Sequence, residues 1–147
     1  MFTKVLIANR ATLACRILRT LQTMNVSGVA VFSEADAGSL HISQADEAIS
    51  LGDGPAAQTY LVVEKIIAAA RDSGAQAIHP GYGFLSENAA FADACEAAGI
   101  TFIGPTPEQL RLFGLKHTAR DLARRQGVPL LEGSDLLDSV DDAPNTA

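Results

Sequence analysis

The residues best suited to bind a ligand lie in one short segment, residues 79–88, which reads HPGYGFLSEN. Gly81 and Gly83 lack a Cβ, so a ligand can come close to their backbone, and Tyr82 between them offers a rigid face and a hydroxyl group. The chemistry that these residues suggest is binding by backbone donors and an aromatic surface. The same residue types are common in turns, so a tight turn with a core tyrosine is an alternative that the local pattern leaves open.

The other reactive residue types do not form a recognisable site. Cys15 and Cys95 are far apart, each beside alanine in a predicted helix, and neither belongs to a CxxC motif. We therefore predict that both are small buried residues. His41, His79 and His117 lack the spacing of metal ligands, so no metal site is predicted.

Composition limits the class of protein. The chain has 147 residues, with 11 basic and 17 acidic side chains and a formal net charge of -6, which argues against nucleic acid or an anionic membrane as a partner. The first apolar run, residues 5–8, ends at Asn9 and Arg10 and is too short for a secretory signal or a membrane span. We therefore expect a cytoplasmic protein with one core and the beginning of a second domain.

The elements that must position residues 79–88, the glycine segment, alternate between strands and helices. Short apolar runs predict strands at residues 5–8, 29–32, 48–51, 75–78 and 100–103. Apolar residues at helical spacing separate most of these runs, and Gly74 is placed to end the helix before the fourth one. This alternation predicts an α/β fold with an open parallel sheet and helices on both faces.

The last part of the chain is predicted to be helical at first. Residues 106–109 combine a capping threonine, a proline at the first helical position and a glutamine, which indicates a short helix ending near Phe113. Gly114 separates it from a second helix that ends before Gly127 and Pro129. Residues 128–131 are a candidate strand, and the acidic tail beyond Gly133 is expected to fray.

The placement of the glycine segment favours binding. In an open parallel sheet, ligands bind at the carboxyl ends of the strands, where backbone donors and helix N-termini converge. The segment follows the predicted strand at 75–78 and so has this position. The loop after the first strand, residues 8–12, contains no GxGxxG motif, so NAD and FAD are not expected ligands.

Several motifs in the same order resemble the biotin carboxylase component of biotin-dependent carboxylases. Besides HPGYGFLSEN, flanked by AQAI and AAFADACEAAGITFIGP, they are KVLIANR, ADEAISLG, TYL and GLKHTAR, within about residues 4–133. The resemblance implies a Rossmann-like N-terminal domain at residues 1–113, the start of an ATP-grasp domain at 114–133 and a tail at 134–147. FGLKHTAR and VPLLEGSDLLDS look more like urea carboxylase, often part of urea amidolyase, than like acetyl-CoA or pyruvate carboxylases.

The resemblance also implies an activity and site residues. The full enzyme uses ATP, Mg²⁺ and bicarbonate to carboxylate biotin held on a carrier domain, and a carboxyltransferase domain is a further partner. Lys116 matches a lysine that binds ATP phosphate, Tyr82 and Gly83 match the biotin pocket, and Arg16 and Arg19 match positions near a homodimer contact. Solvated surface positions are the alternative for Lys116 and the two arginines.

The fragment lacks the groups that would carry out the chemistry. No glycine-rich phosphate-covering loop and no Glu/Asn pair that could hold magnesium follow Gly133, and no arginine remains there to bind bicarbonate. We therefore predict no catalytic residue, no metal ligand and no tightly bound cofactor in this chain, and no ATP turnover by the chain alone.

The chain departs from the family in its first turn, where Ala11 and Thr12 replace a glycine and a glutamate. Either this turn is repacked in a subfamily that keeps activity, or the position has drifted. Two other hypotheses stay open: a non-catalytic binding or assembly module derived from this domain, and the leading domain of another ATP-grasp ligase such as a carbamoyl-phosphate synthetase. HPGYGFLSEN speaks against the second.

Overall fold

A computed structural model describes residues 1–132. Its β-strands are Lys4–Ile7 (β1), Ser27–Phe32 (β2), Glu47–Ser50 (β3), Ala77–His79 (β4) and Thr101–Phe102 (β5). Its α-helices are Ala11–Thr23 (α1), Leu40–Gln44 (α2), Val63–Ser73 (α3), Ala89–Ala97 (α4), Pro107–Phe113 (α5) and Lys116–Arg125 (α6). The prediction of a strand at residues 128–131 is wrong, because the chain is irregular from residue 128 to 132. The predicted frayed tail at 134–147 lies outside the described residues.

The strands form one parallel sheet in the order β3-β2-β1-β4-β5. Alternate residues of β1 and the position after it point to opposite faces, as the two-residue period of a strand requires. Leu6 and Ala8 pack in a cluster with Ile66 of α3 and Phe91 of α4, and Val5 and Ile7 pack in a second cluster with side chains of α1. The predicted parallel α/β fold with helices on both faces is confirmed.

Two helix ends show how local sequence determines the boundaries. Gly74 follows α3 with φ +69°, a left-handed conformation that costs glycine little and ends the helix, as predicted. Helix α4 begins at Ala89, because the side chain of Asn88 directly before it accepts a hydrogen bond of 3.0 Å from the Phe91 N–H.

The short elements between β2 and α3 are absent from the sequence prediction. They are α2 and two 3₁₀ turns, Glu34–Asp36 and Ala56–Gln58. Each is too short to show an apolar repeat, so periodicity cannot reveal it.

The chain divides into two compact units, Met1–Pro107 and Glu108–Ala147. The first contains the sheet and α1 to α4, and the described part of the second contains α6 and nearly all of α5. The predicted boundary after residue 113 stays a prediction. None of the helices in residues 1–132 combines the length and hydrophobicity of a bilayer-spanning helix, and the cytoplasmic location also stays a prediction.

Candidate functional site

The glycine segment lies at the point where the order of the sheet reverses. From β1 the chain builds the sheet outward through β2 and β3 on one side, and through β4 and β5 on the other. The carboxyl ends of β1 and β4 are therefore neighbours: Ile7 pairs with His79, and the Ala8 N–H donates to the His79 carbonyl oxygen at 2.9 Å. Crevices of this kind are the usual ligand site of open α/β sheets.

Asn9, the second residue after β1, joins these two strand ends. It is only 6% exposed. Its Nδ2 donates to the carbonyl oxygens of Pro80, at 2.8 Å, and Tyr82, at 3.0 Å. These bonds fix the glycine loop, residues 80–84, against the end of β1. Asn9 is not among the predicted site residues, although a polar amide directly after a buried strand is a signal that could have identified it.

The two glycines of this loop differ in their surroundings. Both have left-handed backbone conformations, with φ +68° at Gly81 and +67° at Gly83. A Cβ on Gly81 would lie 2.5 Å from Leu13 Cδ2 and 2.8 Å from Asn9 Nδ2, whereas a Cβ on Gly83 would meet no atom within 4 Å beyond its chain neighbours. Gly81 therefore allows close packing inside the protein, and Gly83 leaves open space on the outside.

Tyr82 and Gly83 are presented to solvent. The Tyr82 side chain is 76% exposed, so the alternative of a core tyrosine is wrong. The Gly83 N–H donates to no acceptor within residues 1–132, while its carbonyl oxygen accepts from the Ser86 N–H at 2.9 Å. The loop thus offers a flat aromatic group and a free backbone donor side by side.

His79 supports the loop from the end of β4. Its Nδ1 accepts a hydrogen bond of 3.0 Å from the Gly81 N–H, which requires that nitrogen to be unprotonated. Burial lowers the pKa of the His79 imidazole, which favours this neutral form.

A second group of side chains holds the far end of the loop. The Phe84 ring stacks on the Tyr60 ring, with centroids 5.1 Å apart and an interplanar angle of 10°. The Arg10 guanidinium lies over both rings, 5.3 Å from the Tyr60 centroid and 5.5 Å from that of Phe84. Asp36 Oδ2 then accepts hydrogen bonds from Arg10 Nη1 at 2.9 Å and Tyr60 OH at 2.6 Å. No member of this group is among the predicted site residues, because its members come from four separate loops.

The protonation states in this group support one another. Burial alone would raise the pKa of the Asp36 carboxyl, but hydrogen bonds from Tyr60, Arg10 and Ser33 outweigh it, and that pKa is lowered. The pKa of Tyr60 is raised, first by burial and then by its bond to Asp36, and the pKa of Arg10 is raised by its bond to Asp36. At neutral pH the group is therefore a carboxylate, a phenol and a guanidinium.

The first turn of α1 contains the departure from the family. Ala11 has φ +54°, a left-handed conformation that favours glycine. The backbone thus keeps the conformation for which a glycine is suited although an alanine occupies the position. Thr12 is exposed, and the first turn of α1 carries no acidic residue.

Arg16 and Arg19 are both exposed on α1. With Thr20, Thr23 and Met24 they line a shallow groove of about 470 Å³. Arg16 also borders a larger, mostly apolar groove of about 550 Å³, which includes the exposed side chains of Met1, Phe2 and Met24. The predicted dimer residues therefore lie beside uncovered apolar surface, and neither groove includes Tyr82 or Gly83.

Lys116, the predicted ATP-binding residue, is the first residue of α6 and is exposed. It belongs to the second compact unit. Within residues 1–132, no cluster of three or more His, Cys, Asp or Glu side chains has the geometry to hold a metal ion. The prediction that Cys15 and Cys95 are buried is confirmed, with exposures of 7% and 0%.

Comparisons with known proteins agree with this architecture. Residues 1–110 match the family model described as biotin carboxylase, N-terminal domain. The chain is 55% identical to the mitochondrial methylcrotonoyl-CoA carboxylase subunit alpha of Mus musculus over 131 residues, which are 89% of this chain and 18% of that protein. It is 52% identical to urea amidolyase of Saccharomyces cerevisiae over 147 residues, which are 100% of this chain and 8% of that protein.

A solved structure matches the fold closely. The biotin carboxylase domain dimer of Hydrogenobacter thermophilus 2-oxoglutarate carboxylase, in complex with MgADP, ADP and bicarbonate, has a TM-score of 0.92 and 44% identity, covering 99% of this chain and 32% of that one. The chain spans only 8% and 18% of the two relatives named above. Since the family model covers residues 1–110 of 147, the chain belongs to the biotin carboxylase N-terminal domain family.

Proposed function

We propose that this chain is the N-terminal part of an ATP-dependent biotin carboxylase, which carboxylates carrier-bound biotin with bicarbonate. The observation that carries the proposal is the exposed Tyr82–Gly83 pair at the reversal point of the sheet, held there by the buried Asn9. A biotin carboxylase has to bind the ureido ring of biotin. A free backbone donor beside an aromatic face suits that ring.

The proposed role of this loop is to bind and orient biotin. The Gly83 N–H is free to donate to the ureido oxygen, and the absence of a Cβ lets the ring approach the backbone. The Tyr82 ring would form one wall beside it. Neither group transfers a proton, so their contribution is to binding and alignment.

Lys116 is proposed to bind an ATP phosphate. A flexible ammonium group suits a phosphate, and its place at the first residue of α6 adds the positive end of the helix dipole. Bound Mg-ATP would supply the phosphoryl group that activates bicarbonate. Metal ligands and the covering loop are proposed to lie outside this chain.

The proposed partners are a biotin carboxyl carrier domain, a carboxyltransferase domain and a second copy of the chain that meets Arg16 and Arg19. Urea is the proposed acceptor, from the resemblance of residues 113–120 and 128–139 to urea carboxylase. Because the acceptor binds to the carboxyltransferase domain, substitutions in residues 1–132 are expected to leave acceptor choice unchanged.

The reading frame after the Ala147 codon gives the first test. Continuation into a glycine-rich ATP-grasp loop and a biotin-carrier motif is expected. A natural stop codon there would contradict the proposal and favour the non-catalytic module.

Activity gives the second test. The purified chain is expected to show no biotin-dependent ATP hydrolysis above a Lys116→Ala control.

A chimera in which the 147 residues replace the matching segment of the yeast urea amidolyase is expected to hydrolyse ATP in the presence of bicarbonate and biotin. In that chimera, Gly83→Ala should raise the KM for biotin more than the KM for ATP, because the added Cβ lies on the ligand side. An inactive chimera that is folded would count against the proposed function.

A further inference from the structure

Phe84 has a backbone conformation that a bulky residue rarely adopts. Its φ is +43°, and it follows Gly83 at φ +67°. A phenylalanine in the left-handed region is strained, and such strain persists only where surrounding contacts hold it. The contacts that hold Phe84 therefore determine the conformation of the residues directly before it, Tyr82 and Gly83.

The Phe84 ring is held by two partners. Tyr60 stacks on it in parallel at 5.1 Å, and Arg10 lies over both rings. Tyr60 is 1% exposed and is therefore fixed by its own packing, whereas the Arg10 side chain is 43% exposed and needs an anchor.

Asp36 supplies that anchor and joins the partners. One oxygen, Oδ2, accepts from Arg10 Nη1 at 2.9 Å, Tyr60 OH at 2.6 Å and Ser33 Oγ at 3.1 Å. The Ser33 N–H in turn donates to the Tyr60 hydroxyl at 3.0 Å. Asp36 itself has no contact with the Tyr82–Gly83 segment among these bonds and acts on it through Tyr60, Arg10 and Phe84.

We propose that Asp36 is a positioning residue, which fixes the Tyr82–Gly83 segment through the Arg10–Tyr60–Phe84 stack. Asn9 fixes the other side of the same loop, so the segment is held between two anchors. The role in biotin binding rests on the proposed function, whereas the effect on the loop does not.

The first experiment measures the loop in the 147-residue chain without any ligand. Backbone ¹⁵N order parameters of Tyr82 and Gly83 are expected to be about 0.85 in the parent chain and below about 0.6 in Asp36→Ala. Glu47→Ala is the matched control, because it removes a carboxylate from another 2.9 Å ion pair, with Lys4, at the starts of the strands. It should leave the loop unchanged. Equal loop order parameters in Asp36→Ala and the parent chain would overturn the proposal.

The second experiment measures binding in the urea amidolyase chimera. Asp36→Ala is expected to raise the KM for biotin by about tenfold, with the KM for ATP within about twofold, because only the biotin segment is released. A parallel rise in both constants would indicate a structural defect and overturn the positioning role. If Asp36→Ala does not fold, Asp36→Asn decides by the same readouts, since asparagine can still accept from Tyr60 but cannot pair with the charge of Arg10. An inactive parent chimera with a loop that loosens in Asp36→Ala would count against the proposed function alone.

Discussion

Ala11 is a residue whose conformation suits another amino acid. Its φ of +54° places an L side chain in the left-handed region, at a cost of about 1–2 kcal/mol. The Arg10 side chain beside it belongs to the group around Asp36, so the turn is held by contacts that do not depend on Ala11 itself.

We expect Ala11→Gly to stabilise the chain. Relief of the left-handed strain exceeds the entropy that glycine adds to the unfolded chain by about 0.5–1 kcal/mol. Chemical denaturation monitored by circular dichroism measures the free energy of unfolding. Ala68→Gly, at an exposed position inside α3, is the control and should destabilise by about 1 kcal/mol. A loss of stability in Ala11→Gly would contradict the left-handed conformation.

His79 is expected to make the loop sensitive to acid. Its folded pKa is lowered by burial, so the unfolded chain binds the proton more readily. The stability that depends on neutral His79 is therefore present above the unfolded pKa of about 6.5 and lost as the pH falls below it toward the folded pKa. Protonation of Nδ1 also removes the acceptor of the Gly81 N–H.

A pH titration followed by NMR tests this expectation. The Gly81 amide shift should move together with the His79 ring protons, with a midpoint below about 6.5. The Gly83 amide, which has no such acceptor, is the internal control. In His79→Gln, the free energy of unfolding should fall less between neutral and acidic pH than in the parent chain. A Gly81 amide shift that stays constant while His79 titrates would contradict the hydrogen bond.

The glycine loop contains one packed glycine, Gly81, and one glycine with open space around it, Gly83, and substitution by alanine distinguishes the two. Gly83→Ala should cost about 1 kcal/mol, because only the left-handed strain is added. Gly81→Ala should cost about 1–3 kcal/mol more, because its Cβ also meets Leu13 and Asn9. Thermal unfolding of the two variants measures the difference, and equal losses would show that the Gly81 contact relaxes freely.

The elements with long apolar patterns were predictable, and the short ones were not. The strand at β1 and the helix α3 follow from a buried run and a helical repeat, which need no knowledge of neighbours. The 3₁₀ turn Glu34–Asp36 has no buried residue and no repeat, yet it brings Asp36 to Arg10 and Tyr60. Its place depends on partners that are distant in sequence.

At the scale of the whole molecule, the buried thiols report on unfolding. Cys95 is 0% exposed, and burial, with a smaller effect of Glu96, raises its pKa to about 12. In a Cys15→Ala background at pH 8, we expect Ellman's reagent to modify Cys95 only as the chain opens, and within seconds in concentrated guanidinium chloride. The native rate should rise in destabilised variants such as Gly81→Ala. Fast modification that is independent of stability would contradict the buried position.

The candidate site was predicted only in part. Tyr82 and the two glycines stand together in the sequence, so their types and their place after a strand indicated a binding loop. Asn9, Arg10, Asp36 and Tyr60 are each ordinary in their local sequence, and their relation to the loop arises from four loops meeting at one edge of the sheet.

The sequence by itself determined the family, the α/β class, the parallel sheet and the loop that is proposed to bind biotin, because these depend on local patterns and motifs. Only the tertiary structure decided that Gly81 packs inward while Gly83 faces open space, that Tyr82 is exposed, and that Asp36 bonds to Arg10 and to the Tyr60 that stacks on Phe84. The reason is physical: a local pattern records which residues are apolar or flexible, whereas contacts across 24 or more positions, such as Tyr60 to Asp36, depend on how the strands are ordered in the sheet.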